Sequence, residues 1–133
     1  MFFKKKNINI SFQDMLNDVA LFKKIQKKVK NKKDYESARQ LGLYYFHIGN
    51  IASSLFWYEE ALKRGSKNVL IDLSKLHFHC VSNKIFTIED IVGKISVAKE
   101  KAYSYIEKAI EYDIPEAYTL KTRYLVVENK IDE

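Results

Sequence analysis

Ala38 to Gly65 reads ARQLGLYYFHIGNIASSLFWYEEALKRG, and its apolar spacing and paired glycines decide the fold. Ala38, Leu41, Tyr45 and Ile48 recur at three- and four-residue intervals, which places them on one face of an α-helix that needs an apolar partner. Gly49, just past the last of them, accepts the left-handed conformation that closes a helix, and Asn50 offers a side-chain oxygen to cap the next. Leu55, Tyr58, Ala61 and Leu62 form a second apolar face, which Gly65 ends. The stretch therefore predicts a tight helical hairpin. Gly42 falls inside the first helix, where glycine costs about 1 kcal/mol against alanine. Close approach of the partner helix is the expected reason.

The residue order is sharper than the periodicity. Ala38-x-x-Leu41-Gly42-x-x-Tyr45, then Gly49, then Trp57-Tyr58-Glu59-Glu60-Ala61 and Gly65 resembles a tetratricopeptide repeat. The run WYEEALKRG is more similar still to the Sel-one-like subfamily, whose second helix carries a Trp-Tyr or Tyr-Tyr pair, an alanine three residues later and a glycine after that. The resemblance implies an all-α chain, a short right-handed solenoid of antiparallel helix pairs. It also implies a scaffold or adaptor rather than a catalyst.

A repeat unit cannot bury its apolar face alone, so the pattern is expected to recur. Lys101 to Tyr112 parallels the second helix, with Ala109 where Ala61 stood, and Ala117-x-x-Leu120-Lys121-x-x-Tyr124 parallels the first. Between them Val69-x-x-Asp72-Leu73-x-x-Leu76 reads as a degenerate first helix in which Asp72 and Leu73 replace Leu-Gly. The expectation is one domain over 1–133. It comprises an N-terminal basic helix (1–33), a first repeat (34–65), a degenerate second repeat (66–113) with an insertion at 81–97, and a half repeat (114–131). Within the insertion, Thr87 followed by Asp90 would start a short helix through Ile88, Ile91 and Val92, stopped by Gly93. An insertion at one edge of a stack serves a specialised contact or structural padding, and both readings stand.

At 133 residues and 47% hydrophobic, the chain can bury one core. A lone cysteine, Cys80, excludes an internal disulfide framework and argues for a reducing, cytoplasmic setting. The start, MFFKKKNINISF, lacks an apolar run of signal-peptide length, and no segment approaches the ~18 apolar residues of a membrane span. The abundance of lysine, isoleucine and asparagine suggests an AT-rich bacterial genome.

Residues 1–33 hold ten lysines against Asp14 and Asp18, a net +8, while the rest holds 13 basic and 15 acidic residues, a net −2. Ser11 with Asp14 resembles a helix-starting box, and Phe12, Met15, Leu16, Val19, Phe22, Ile25 and Val29 follow on one face. Lysines from Lys23 to Lys33 crowd its C-terminal end, which also favours the helix dipole. Two roles compete: a cap over the open end of the stack, and a basic surface for nucleic acid or anionic lipid. Terminal repeats must be covered, and nucleic-acid binders favour arginine and exposed aromatics, so the cap is the expectation.

His77-Phe78-His79-Cys80, with His47 elsewhere, is the chemically suggestive cluster. His77 and Cys80 can share a helix face while His79 points away, short of the four ligands a structural zinc wants. No third group orients a thiol nucleophile, and no glycine-rich phosphate loop occurs. A buried thiol with partly exposed histidines is expected. No cofactor, metal or enzymatic activity follows from the sequence.

Carried across by the small-residue position (Ala38, Val69, Ala117), the tetratricopeptide pattern implies a groove lined by Arg39, Leu43, Phe46 and His47 from the first unit. Leu70, Ser74, His77 and Phe78 follow from the second, and Tyr118, Thr122 and Leu125 from the third. Leu43 stands where the carboxylate clamp of chaperone-binding relatives has an asparagine, so the groove suits a helical or extended protein segment instead. The expected function is a bacterial adaptor or an immunity-type inhibitor that masks a toxin. Helix 115 onward, with Tyr118, Leu125 and Val126 off its core stripe, is expected to contact the partner or a second copy.

Overall fold

The computed structural model describes residues 19–82 and 95–132, and among them the chain forms six α-helices and no strand. They are α1 (Val19–Lys28), α2 (Tyr35–His47), α3 (Ile51–Lys63), α4 (Val69–Ser82), α5 (Ile95–Glu111) and α6 (Pro115–Asp132). The fold is all-α, as the periodicity requires. The box at Ser11 and Asp14, the apolar positions Phe12, Met15 and Leu16, and the helix expected from Thr87 to Val92 lie outside the described residues.

The helices pack in chain order, each on the next, and α2 also touches α4. Three of the turns that fold them back are built alike. Gly49 and Gly65 adopt φ of +86° and +113°, and the residue after each returns its N–H five residues back, Asn50 to the Tyr45 carbonyl and Ser66 to the Ala61 carbonyl. Asp113, at φ +56°, ends α5 in the same way, with the Ile114 N–H donating to the Ala109 carbonyl. Short acidic and amide side chains tolerate this left-handed conformation better than most, so an aspartate stands in where no glycine is present. The Asn50 side chain accepts from the Ser53 N–H at 3.1 Å and starts α3. Asp34 starts α2, accepting from both the Ser37 N–H and hydroxyl.

At Gly42 the helices α2 and α3 come close. A Cβ there would lie 2.3 Å from Cδ1 and 2.6 Å from Cε1 of Tyr58, so the ring occupies the space a side chain would need. Beside it the Ser54 hydroxyl donates to the Gly42 carbonyl at 2.7 Å. In the second pair Ser74 holds the matching place on α4, its hydroxyl donating to the Ala102 carbonyl of α5 at 2.7 Å. Small residues at both crossings let the backbones approach, and the hydroxyls satisfy themselves within the interface.

Two apolar clusters result, and α4 serves both. Val69, Leu73, Leu76 and Cys80 join Leu41, Leu55, Tyr58 and Ala61 in the first. Leu70, Ile71 and Phe78 join Ile106, Ala109, Leu120 and Tyr124 in the second. Burial on two faces erases the amphipathic contrast that marks a surface helix.

α1 lies over the first cluster with Leu21, Ile25 and Val29 buried and the Phe22 ring 4.3 Å from that of Tyr44. Val19, expected on the inner face, is 65% exposed, and Leu21 takes the inner place instead. Arg64 fixes the turn that joins α1 to the first hairpin. Its side chain is only 5% exposed, with Nε on Glu60 at 2.9 Å and Nη1 donating toward the carbonyls of Val29, Asn31 and Asp34 at 2.9 to 3.2 Å.

Candidate functional site

The surface shared by α2, α4 and α6 follows from which residues α4 leaves uncovered. Its two buried stripes take most of its circumference, and Asp72, Lys75 and His79, three and four residues apart, form the strip that remains. Across this strip α2 lies on one side. Arg39 Nε meets Asp72 Oδ2 at 2.5 Å, and Phe46 sets its ring edge-on to His79 at 5.1 Å. On the other side a cleft of about 190 Å³ separates α4 from α6, lined by Ile71, Lys75, Glu116, Thr119, Leu120 and Arg123. The floor is apolar and the rim charged.

The Arg39 and Asp72 pair is the electrostatic centre of this face. Burial pushes the Asp72 carboxyl up and the Arg39 guanidinium pulls it back without cancelling the rise. Burial works against the charged form of Arg39, but contact with Asp72 and the nearby Glu36 charge together more than offset it, so its pKa is raised and the guanidinium stays charged. Glu36, 3.5 Å from Arg39, is pushed up by burial as well. Lys75 and Arg123 stand on the cleft rim without an ion pair among the described residues.

The sequence-expected groove residues separate into three groups. Arg39, Leu43 and Phe46 flank the strip, half-buried, with the exposed His47 at the end of the same helix. Leu70, Ser74, His77 and Phe78 are buried under α5 and α6, which corrects their assignment to an open groove. Ser74 shares a 2.9 Å hydrogen bond with the Tyr124 hydroxyl, Phe78 stacks on the Tyr124 ring at 3.9 Å, and His77 stacks on Tyr105 at 5.6 Å. For Leu70, Ser74 and His77 the physical reason is register: Ser74, not Leu73, occupies the close crossing that Gly42 occupies in the first pair, so Arg39 and Leu43 correspond to Ile71 and Lys75 of the cleft lining. Phe78, the counterpart of Phe46, is buried because the Tyr124 ring of α6 covers it. Tyr118, Thr122 and Leu125 lie on an exposed face of α6 apart from the cleft, which Glu116, Thr119 and Arg123 face instead. Tyr118, Leu125 and Val126 leave an apolar stripe there, each about half exposed.

Of the histidine and cysteine cluster, His77 and Cys80 are part of the core, and His79 stands on the uncovered strip of α4. His77 is 1% exposed, not partly exposed as expected, and neither ring nitrogen has a hydrogen-bond partner among the described residues. Burial, with the nearby Lys101 charge adding to it, pushes its pKa down to about 4, so the ring is neutral at pH 7. Burial pushes the Cys80 thiol up to about 11, which keeps it protonated and unreactive. Among the described residues no three His, Cys, Asp or Glu side chains converge to hold a metal ion, and no helix is long and apolar enough to cross a membrane.

Comparison of the chain with protein-family models, curated proteins and solved structures gives no match.

Proposed function

We propose that this chain is a non-catalytic protein-binding module of the tetratricopeptide or Sel-one-like kind. It is a short right-handed solenoid whose partner lies along the face shared by α2, α4 and α6. The observation that carries this reading is the repeated construction of the two hairpins. Gly42 and Ser74 sit at equivalent helix crossings, Ala61 and Ala109 precede equivalent left-handed stops, and the helices pack in chain order with α2 reaching α4. Such a stack leaves the first helices of successive units side by side, where a helical or extended segment can lie. The strip supplies both recognition elements such a segment needs, an apolar floor at Leu43, Ile71 and Leu120 and flanking charges at Lys75, Glu116 and Arg123.

The setting we infer is a bacterial cytoplasm, where a buried single thiol is at home, and the role is that of an adaptor or an immunity-type inhibitor of a toxin. The test is affinity capture from the native host with the parent chain and with Thr119→Glu, an exposed cleft position. One protein held by the parent and lost by the variant, with melting unchanged, supports the reading. Equal capture by both overturns the groove.

A further inference from the structure

The inner and outer faces of α1 are chemically distinct. Leu21, Ile25 and Val29 are spent on the core, so the covering of the first hairpin needs none of the lysines. Lys23, Lys24, Lys27 and Lys28 are all exposed on the outer face, and Lys30, Lys32 and Lys33 continue the charge through the following turn. None of these seven forms an ion pair among the described residues. Asp34, next in the chain after Lys33, is held as the cap of α2, and Glu60 is held by Arg64. A cap and a ligand surface therefore do not compete for the same side chains.

We propose that the outer face of α1 and the turn after it bind the phosphate backbone of duplex nucleic acid without regard to sequence. Lysines neutralise phosphates as point charges and release counterions, which supplies essentially all of non-specific affinity. The seven lysines have no arginine among them, and arginine is the commonest reader of base edges, so the patch offers backbone binding with little sequence preference. Lysines at i and i+4 repeat about every 6 Å along the helix, which sets several charges beside a polyanion at once. The observations favour a duplex over a bilayer. An interfacial helix must bury an apolar face among lipids, and that of α1 is already buried in protein. They favour it over an acidic protein as well, because protein interfaces are depleted in lysine at their centres.

The test uses the full chain and two fluorescein-labelled duplex DNAs of unrelated sequence, followed by anisotropy between about 50 and about 200 mM salt. Both duplexes are expected to bind alike, with log Kobs falling against log salt at a slope of about −5. The variant K23Q/K24Q/K27Q/K28Q is expected to lose about four of that slope while its helical signal and melting stay those of the parent. K67Q/K101Q/K108Q, which removes exposed lysines elsewhere, leaves the slope unchanged. The proposal is overturned by absence of binding at the lowest salt, by an undiminished slope in the four-lysine variant, or by lysine-dependent binding to phosphatidylserine vesicles with the duplexes ignored.

Discussion

Replacing Gly42 with alanine sets two effects of known sign against each other. Helix propensity alone makes alanine about 1 kcal/mol better than glycine in a helix interior. Against this, the new methyl would sit 2.3 to 2.6 Å from ring carbons of Tyr58 and 3.0 Å from Cγ. Tyr58 is 2% exposed, and Cγ and Cδ1 belong to the base of a rigid ring, not to a tip that can swing aside. Relief requires α2 and α3 to separate, which also strains the hydrogen bond from Ser54 to the Gly42 carbonyl. Overpacking of this kind costs about 3 kcal/mol at the upper end of its usual range, so the net loss is about 2 kcal/mol. With a urea dependence of about 2 kcal/mol per molar, the unfolding midpoint falls by about 1 M. Urea titration followed by circular dichroism reads it directly. Repeating the substitution in a Tyr58→Leu background removes the ring, and there alanine is expected to be neutral or stabilising. A Gly42→Ala protein as stable as the parent would refute the close crossing and the equivalence of Gly42 with Ser74.

Three further outcomes follow from side chains already placed. His77 has a folded pKa near 4 against 6.5 for an unperturbed histidine, so the unfolded chain takes up the proton first. Its contribution is complete above pH 6.5 and is lost as pH falls toward 4, by about 3 kcal/mol in all, and His77→Phe is expected to flatten that part of the urea midpoint's pH profile. Arg64→Ala strips three carbonyls of the α1 to α2 turn and Glu60 of a donor, and differential scanning calorimetry is expected to show a loss of roughly 2 to 3 kcal/mol, with Arg64→Lys only a partial rescue. Leu125→Glu, at a half-exposed position on α6, changes stability by less than about 0.5 kcal/mol. If α6 is an interface, light scattering or partner titration registers the loss, and unchanged values in both show that α6 is not one.

The first hairpin was legible because each of its decisive residues has one strong local meaning: Gly49 and Gly65 stop helices, Asn50 starts one, and Gly42 marks a crossing. α4 was not, because a helix buried on two sides offers no single stripe from which to set a register. Val69 and Leu70 are both fully buried, so only Ser74, set against Ala102, marks Leu70 rather than Val69 as the counterpart of Ala38. That one-residue difference sends Leu70, Ser74 and His77 into the core and brings Ile71 and Lys75 to the cleft, while Phe78, the counterpart of Phe46, is buried because the Tyr124 ring of α6 lies on it. Asp113 is a weaker mark of a stop than glycine, since only the Ile114-Pro115 that follows tells it from any other aspartate. Arg64 had no local signature at all, since the carbonyls it serves lie 30 to 35 residues away.

Site-specific photocrosslinking in the native host decides whether a protein partner lies along α2, α4 and α6, as proposed. A photoreactive side chain at Leu43 or Thr119 faces the strip, and one at Ser104 faces solvent on α5. On that placement, the first two positions are expected to yield a cross-link to one and the same protein, and Ser104 none. A cross-link from Ser104 with silence at Leu43 and Thr119 would contradict it.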